Sequence, residues 1–135
     1  MRPATKGERT PVGILVVDDH LVFRYAAREV IDAAAPDFVL LGEAGSGPHA
    51  LAAVDDLHPD LVLLDIRMEG MDGIETSRRI HKAAPNVVIV LVTIEEPLSL
   101  PAEVGFCGAA DLIRKQEFRP SLLRRLWRAH APTVA

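Results

Sequence analysis

The feature that most constrains this chain is a series of short, unbroken apolar runs, each separated from the next by a segment with helical spacing. The runs are Ile14-Leu15-Val16-Val17, Phe38-Val39-Leu40-Leu41, Leu61-Val62-Leu63-Leu64 and Val87 to Val92. A strand with one face in water alternates apolar and polar residues, so runs without polar interruption read as strands covered on both faces. Between the first two runs, Phe23, Ala27, Val30, Ile31 and Ala34 recur at helical spacing before Pro36 closes the segment. After the second, Ser46 can cap a helix with Pro48 in its first turn and Leu51, Val54 and Leu57 facing inward, ended by Pro59. Asp72, with Glu75 three residues on, starts a third helix carrying Ile74, Ser77 and Ile80. Ala109 to Ile113 makes a short fifth strand, and Phe118, Leu122, Leu123, Leu126 and Trp127 give a last amphipathic helix with Pro120 in its first turn.

Strands alternating with helices of this length imply right-handed crossovers and an α/β architecture: a doubly wound parallel sheet with helices on both faces. The 135 residues suffice for one domain, expected over 12–131 between a loose leader at 1–11 and a tail at 132–135. A formal net charge of −4 offers no general attraction to a nucleic-acid backbone, so direct DNA binding by this domain is disfavoured. Cys107 is the only cysteine, which excludes an intramolecular disulfide. With no long apolar span and no charged-then-apolar leader, no membrane association is expected and the cytoplasm is the expected compartment.

In doubly wound sheets, ligand chemistry gathers beyond the carboxyl ends of the strands. Here the first strand ends in Asp18-Asp19, the third in Asp65 and the fourth in Thr93, and Lys115 closely follows the fifth. Three crowded carboxylates repel one another and raise at least one pKa unless a cation neutralises them. Magnesium suits such a site, because it takes oxygen ligands, keeps several waters and accepts a phosphate oxygen. A hydroxyl and an ammonium, from Thr93 and Lys115, then complete a site for a transferring phosphoryl group, with one of the carboxylates as acceptor. Taken singly, each aspartate reads as a turn or cap residue and Lys115 as a solvated charge. Only their conjunction points to chemistry.

Several segments together resemble response-regulator receiver domains: Val17-Asp18-Asp19-His20, Pro59-Asp60 through Asp65, Met68 with Gly70-Met71-Asp72-Gly73, Thr93, and Gly108-Ala109 before Lys115. The resemblance runs from about Val12 to the last helix. His20, Gly42-Glu43-Ala44 and Gly73-Ile74-Glu75 are similar to the LuxR/NarL-type subgroup, usually joined to a helix-turn-helix effector that is not among these residues. The resemblance implies a five-stranded sheet in the flavodoxin-like order 2-1-3-4-5. It also implies that Asp65 receives a phosphoryl group from a histidine kinase. Asp19, Asp65 and the backbone carbonyl of Arg67 would bind Mg2+, with Asp18 supporting the ion and its waters. Lys115 would contact a phosphoryl oxygen, and Thr93 would swing its hydroxyl toward it, altering the binding of a protein output partner or a second copy of the chain.

The sequence also departs from the family pattern. Glu69 stands where the loop after the acceptor normally has proline, placing another negative charge near the metal. Ile94 replaces the usual small residue after the switch threonine and narrows access for small phosphodonors and water. Leu112 replaces the switch aromatic and has no ring to turn. Gln116 follows Lys115 where a proline is common. Pro97 and Pro101 fall where the fourth helix should form, so that helix is expected to be short or irregular, a remnant from about Leu100 to Phe106 capped by Ser99. Arg67 and Glu95, each two residues beyond a strand-end site residue, are placed to pair across the site entrance.

Two other readings compete. One is a receiver fold that binds partners regardless of phosphorylation, because these departures impair switching. The other is a phosphatase of the haloacid dehalogenase type, which also sets a nucleophilic aspartate at a strand end beside magnesium. Its second aspartate, two residues on, is Arg67 here.

Overall fold

The structure is a computed structural model that describes residues 10–96 and 99–133. Most of the expected leader, Ala135 and Val134 of the expected tail, and Pro97 lie outside the described residues. The first apolar run forms β1 (Val12–Val17), and β2 (Phe38–Ala44), β3 (Leu61–Asp65), β4 (Val88–Thr93) and β5 (Asp111–Arg114) follow in chain order. They pair in parallel in the order β2-β1-β3-β4-β5, the flavodoxin-like arrangement expected. Four α-helices accompany them: α1 (Leu21–Ala33), α2 (Gly47–Leu57), α3 (Gly73–Ala83) and α4 (Pro120–His130).

The uninterrupted apolar runs of β1, β3 and β4 are explained by where alternate residues go, whereas the run of β2, also expected to be covered on both faces, lies at the sheet edge and leaves Val39 and Leu41 exposed. Ile14 and Val16, Leu61 and Leu63, and Val90 and Val92 pack on one face with Phe23, Ala27 and Ile31 of α1 and Leu123 and Leu126 of α4. Leu15 and Val17, Val62 and Leu64, and Ile89 and Leu91 pack on the other with Ala50 and Val54 of α2 and Ile74 and Ile80 of α3. Successive side chains of a strand point to opposite faces, so two covered faces require apolar residues at every position. Both sequence-read caps form: Ser46 Oγ accepts the His49 N–H at 3.2 Å and an Asp72 carboxylate oxygen accepts the Glu75 N–H at 2.9 Å.

The segment between β4 and β5 is where the sequence reading needs correcting in detail. Among the described residues no α-helix forms there; a 3-10 helix at Ala102–Phe106 takes its place, as expected of a short or irregular element. Ser99 does not cap it. Pro101 occupies the cap position, and the Ser99 hydroxyl donates instead to the Glu96 carbonyl at 2.7 Å. The fifth strand also begins two residues later than Ala109, because Gly108 adopts a φ of +86° and the turn it makes ends against the His81 side chain. The Ser77 hydroxyl anchors this turn to α3 by donating to the Cys107 carbonyl at 2.9 Å. No helix among the described residues is long and apolar enough to cross a membrane.

Candidate phosphoryl and metal site

Parallel pairing puts the carboxyl ends of β1, β3 and β4 side by side: Val17 lies opposite Leu64, and Asp65 opposite Val92. The residues that follow these strand ends therefore share one rim with the start of the loop after β5. The sequence-read residues Asp18, Asp19, Asp65 and Lys115 meet there. Asp18 is fully buried, and its Oδ2 lies 2.5 Å from Lys115 Nζ, which is also 3.5 Å from Asp65 Oδ1. The Lys115 ammonium sits 4.9 Å above the Phe23 ring, a cation–π contact that holds it toward the carboxylates.

Asp65 is 2% exposed. One carboxylate oxygen accepts the Arg67 N–H at 3.3 Å; the other has no hydrogen-bond partner among the described residues. Burial pushes the Asp65 carboxyl up to about 6, with the neighbouring Asp18 charge acting in the same direction and Lys115 opposing it. Asp19 is the more open of the acidic pair, and its Oδ2 accepts the Glu69 N–H at 3.4 Å. A proline at that position has no N–H, so Glu69 adds a donor to the loop as well as a charge.

Thr93 is buried, its hydroxyl oxygen accepting the Glu95 N–H at 3.0 Å. The expected Arg67–Glu95 pair forms with two contacts, 2.6 Å from Nε and 3.2 Å from Nη2, and ties the loop after β3 to the loop after β4. Ile94 is 67% exposed. With His20, Val22, Phe23, Ala26, Lys115 and Gln116 it lines a cleft of about 370 Å³ that opens next to Lys115. Leu112 is half-buried against the apolar cluster beneath α2 and α3.

Two more participants join the site: His20, which the resemblance already placed beside the acidic pair, and Arg24, which the sequence reading did not single out. The His20 ring nitrogen Nδ1 lies 3.1 Å from Asp18 Oδ1 and 3.0 Å from Asp19 Oδ1. Arg24 donates from Nη1 to the Asp18 carbonyl at 2.7 Å and from Nε to Glu43 at 3.2 Å, while Arg28 also pairs with Glu43. This brace fixes the acidic turn to the end of β2. Glu43 joins only through the β1–β2 register, in which Val16 faces Glu43.

The arrangement suits a hard divalent cation. Asp18, Asp19, His20 and Asp65 each offer a ligand atom within 4.8 Å of the others, and an ionised buried oxygen without a partner is costly unless a cation meets it.

The family model for the response regulator receiver domain matches residues 14–127. The nitrate/nitrite response regulator protein NarL of Escherichia coli strain K12 is 36% identical over 121 residues, covering 90% of this chain and 56% of that protein. The response regulator GacA of Pseudomonas viridiflava is 33% identical over 104 residues, covering 77% of this chain and 48% of that protein. The chain thus spans about half the length of these curated relatives. The crystal structure of the response regulator domain of Thermotoga maritima CheB superposes with a TM-score of 0.79 at 29% identity, covering 92% of this chain and 99% of that one.

Proposed function

The chain belongs to the response regulator receiver domain family, and from that premise we propose that it is a phosphoacceptor of two-component signalling, taking a phosphoryl group onto Asp65 from the phosphohistidine of a histidine kinase. The observation that carries this reading is the buried Asp65 carboxylate: its Oδ2 has no hydrogen-bond partner among the described residues, while its Oδ1 lies 3.5 Å from the Lys115 ammonium. The unpartnered Oδ2 is the nucleophile: its bond to phosphorus forms as the phosphorus–nitrogen bond of the donor breaks and the imidazole leaves. Lys115 balances charge on a phosphoryl oxygen, and catalysis is otherwise positioning. Asp19, Asp65 and the Arg67 carbonyl would hold Mg2+, with Asp18 behind them. Bound there, the ion would neutralise phosphoryl and carboxylate charge.

The output follows from Thr93. Turning its hydroxyl toward a phosphoryl group on Asp65 breaks its bond with the Glu95 N–H and frees the loop carrying Ile94 and Glu95. A near-complete switch requires roughly 5.5 kcal/mol of differential stabilisation. Because the next element is a 3-10 helix and Leu112 has no ring, the signal passes through loop displacement rather than an aromatic rotamer. A protein partner, or a second copy of the chain, reads it.

Incubation with Mg2+ and a small or histidine-kinase phosphodonor is expected to add one phosphoryl mass to the intact protein. The adduct is expected to disappear with chelator or in Asp65→Asn. No adduct from any donor would favour a partner-binding module indifferent to phosphorylation. The Arg67–Glu95 pair spans the entrance. Arg67→Ala is expected to shorten the phosphoryl lifetime, read from decay of the adduct by mass. An unchanged lifetime would show that the pair does not shield the site.

A further inference from the structure

We propose that Arg24 of α1 is a positioning residue for cation binding at the rim: steered by Glu43, its guanidinium clamps the Asp18 peptide and so sets the carboxylates of Asp18 and Asp19. The inference rests on the reading of this rim as the Mg2+ site and adds to it a residue that touches neither the ion nor the phosphoryl group.

The acidic pair stands on the turn that follows β1, where the sheet no longer supplies partners. β1 ends at Val17 and β2 at Ala44. The Asp18 N–H still reaches the Ala44 carbonyl at 3.0 Å. The Asp18 carbonyl has no further N–H of β2 to accept from and, in a residue that is fully buried, no water to turn to; a buried carbonyl of this kind needs a donor. Arg24 Nη1 is that donor, at 2.7 Å. The carbonyl belongs to the planar unit that joins the Cα atoms of Asp18 and Asp19, so this one bond bears on both carboxylates.

Arginine suits the task because its donors form a rigid fork. While Nη1 holds Asp18, Nε donates to Glu43 at 3.2 Å, and the two side chains are largely buried. Glu43 thereby fixes the direction of the guanidinium and offsets its charge, so the donor reaches the turn with less repulsion of a cation beside it. Arg28 shares Glu43 from a more exposed position, where solvent screens its charge. A Cβ on Gly45 would stand 3.4 Å from Nη1, so the loop after β2 leaves room for the fork and little more.

A tie that served only to fasten α1 to β2 would affect folding and leave the Mg2+ affinity of the folded protein alone. Mg2+ is therefore titrated into the isotope-labelled full chain, followed by amide NMR, for wild type, Arg24→Met and Arg24→Lys. Methionine removes every donor. Lysine keeps the charge, but its single ammonium cannot reproduce the fork that holds Asp18 and Glu43 together. Groups that orient metal ligands from behind are worth tenfold or more in affinity, so the expected result is Mg2+ binding weakened about tenfold in Arg24→Met. A comparable loss is expected in Arg24→Lys, with the shift changes of both metal-free variants confined to α1, the acidic turn and the end of β2. Unchanged or tighter binding in Arg24→Met would overturn the proposal. Wild-type affinity in Arg24→Lys would overturn it too, because charge and not the fork would then be at work; if Arg24→Met does not fold, this variant decides alone. A wild type that binds no Mg2+ would sink the phosphoacceptor reading and this proposal with it, whereas Mg2+ binding indifferent to both substitutions would refute the role of Arg24 only.

Discussion

Asp65→Asn is expected to be more stable than the wild-type chain at pH 7 in the absence of divalent ions, by on the order of 2 kcal/mol. The Asp65 carboxyl is 2% exposed and sits beside Asp18, and burial lifts it from its ordinary value of 3.8 to about 6. The folded chain therefore holds this proton more tightly than the unfolded chain. Stability from the group is fully present below about pH 4 and is lost as pH rises through about 6. At pH 7 the charge is present and buried, and the neutral amide removes that cost. Urea unfolding in chelator at pH 7 and pH 4 checks both parts: a higher midpoint for Asp65→Asn at pH 7, and near coincidence at pH 4. Adding Mg2+ at pH 7 should narrow the difference, because only the wild type gains from binding it. Equal midpoints at pH 7 would mean that Asp65 is not held in a strained ionic state, and the site would lose its main electrostatic feature.

The second large effect is expected at Gly73, the first residue of α3. A Cβ there would lie 2.1 Å from the Asp65 carbonyl oxygen and 2.7 Å from Ile66 Cα, and both are backbone atoms that cannot rotate away. The Gly73 N–H also donates to the Ile66 carbonyl at 2.9 Å, so the helix start is fastened against the end of β3. Gly73→Ala must push apart the loop that carries Asp65 and the Arg67 carbonyl. Overpacking of this kind costs about 1–3 kcal/mol, and more where nothing can yield. Lower stability, and weaker Mg2+ binding in the fraction that folds, are expected. Gly105→Ala is the control: nothing lies within 4 Å of its Cβ. A Gly73→Ala protein as stable as Gly105→Ala would mean that the loop is looser than its contacts imply.

Much of this architecture was readable because the driving forces are local and periodic. The unbroken runs of β1, β3 and β4 are strands covered twice, while the equally apolar run of β2 is an edge strand with Val39 and Leu41 exposed; Ser46 and Asp72 announced their caps by residue type. The prolines forbade a regular helix between β4 and β5, but not which residue would stand at its start; Pro101 took the cap position from Ser99. The start of β5 was misplaced: Gly108 turns the chain with a positive φ close to His81, 27 residues away in sequence. At the site, Asp18, Asp19, Asp65, Thr93 and Lys115 were legible as strand-end residues. Arg67 and Glu95 were legible from their matched offsets. The brace of Arg24 on Glu43, and the inward turn of His20, depend on strand register and side-chain rotamer, which residue spacing does not encode.

The central claim is that Asp65, and no other carboxylate of the rim, carries the phosphoryl group. It is tested most directly by treating the phosphodonor-exposed, Mg2+-loaded protein with borohydride, which reduces an aspartyl phosphate to homoserine, and locating that residue by peptide mass mapping. Homoserine in place of Asp65, absent when donor or Mg2+ is withheld, is the expected result. Homoserine at Asp18 or Asp19 with Asp65 intact, or at no position while the fold is preserved, would contradict the account.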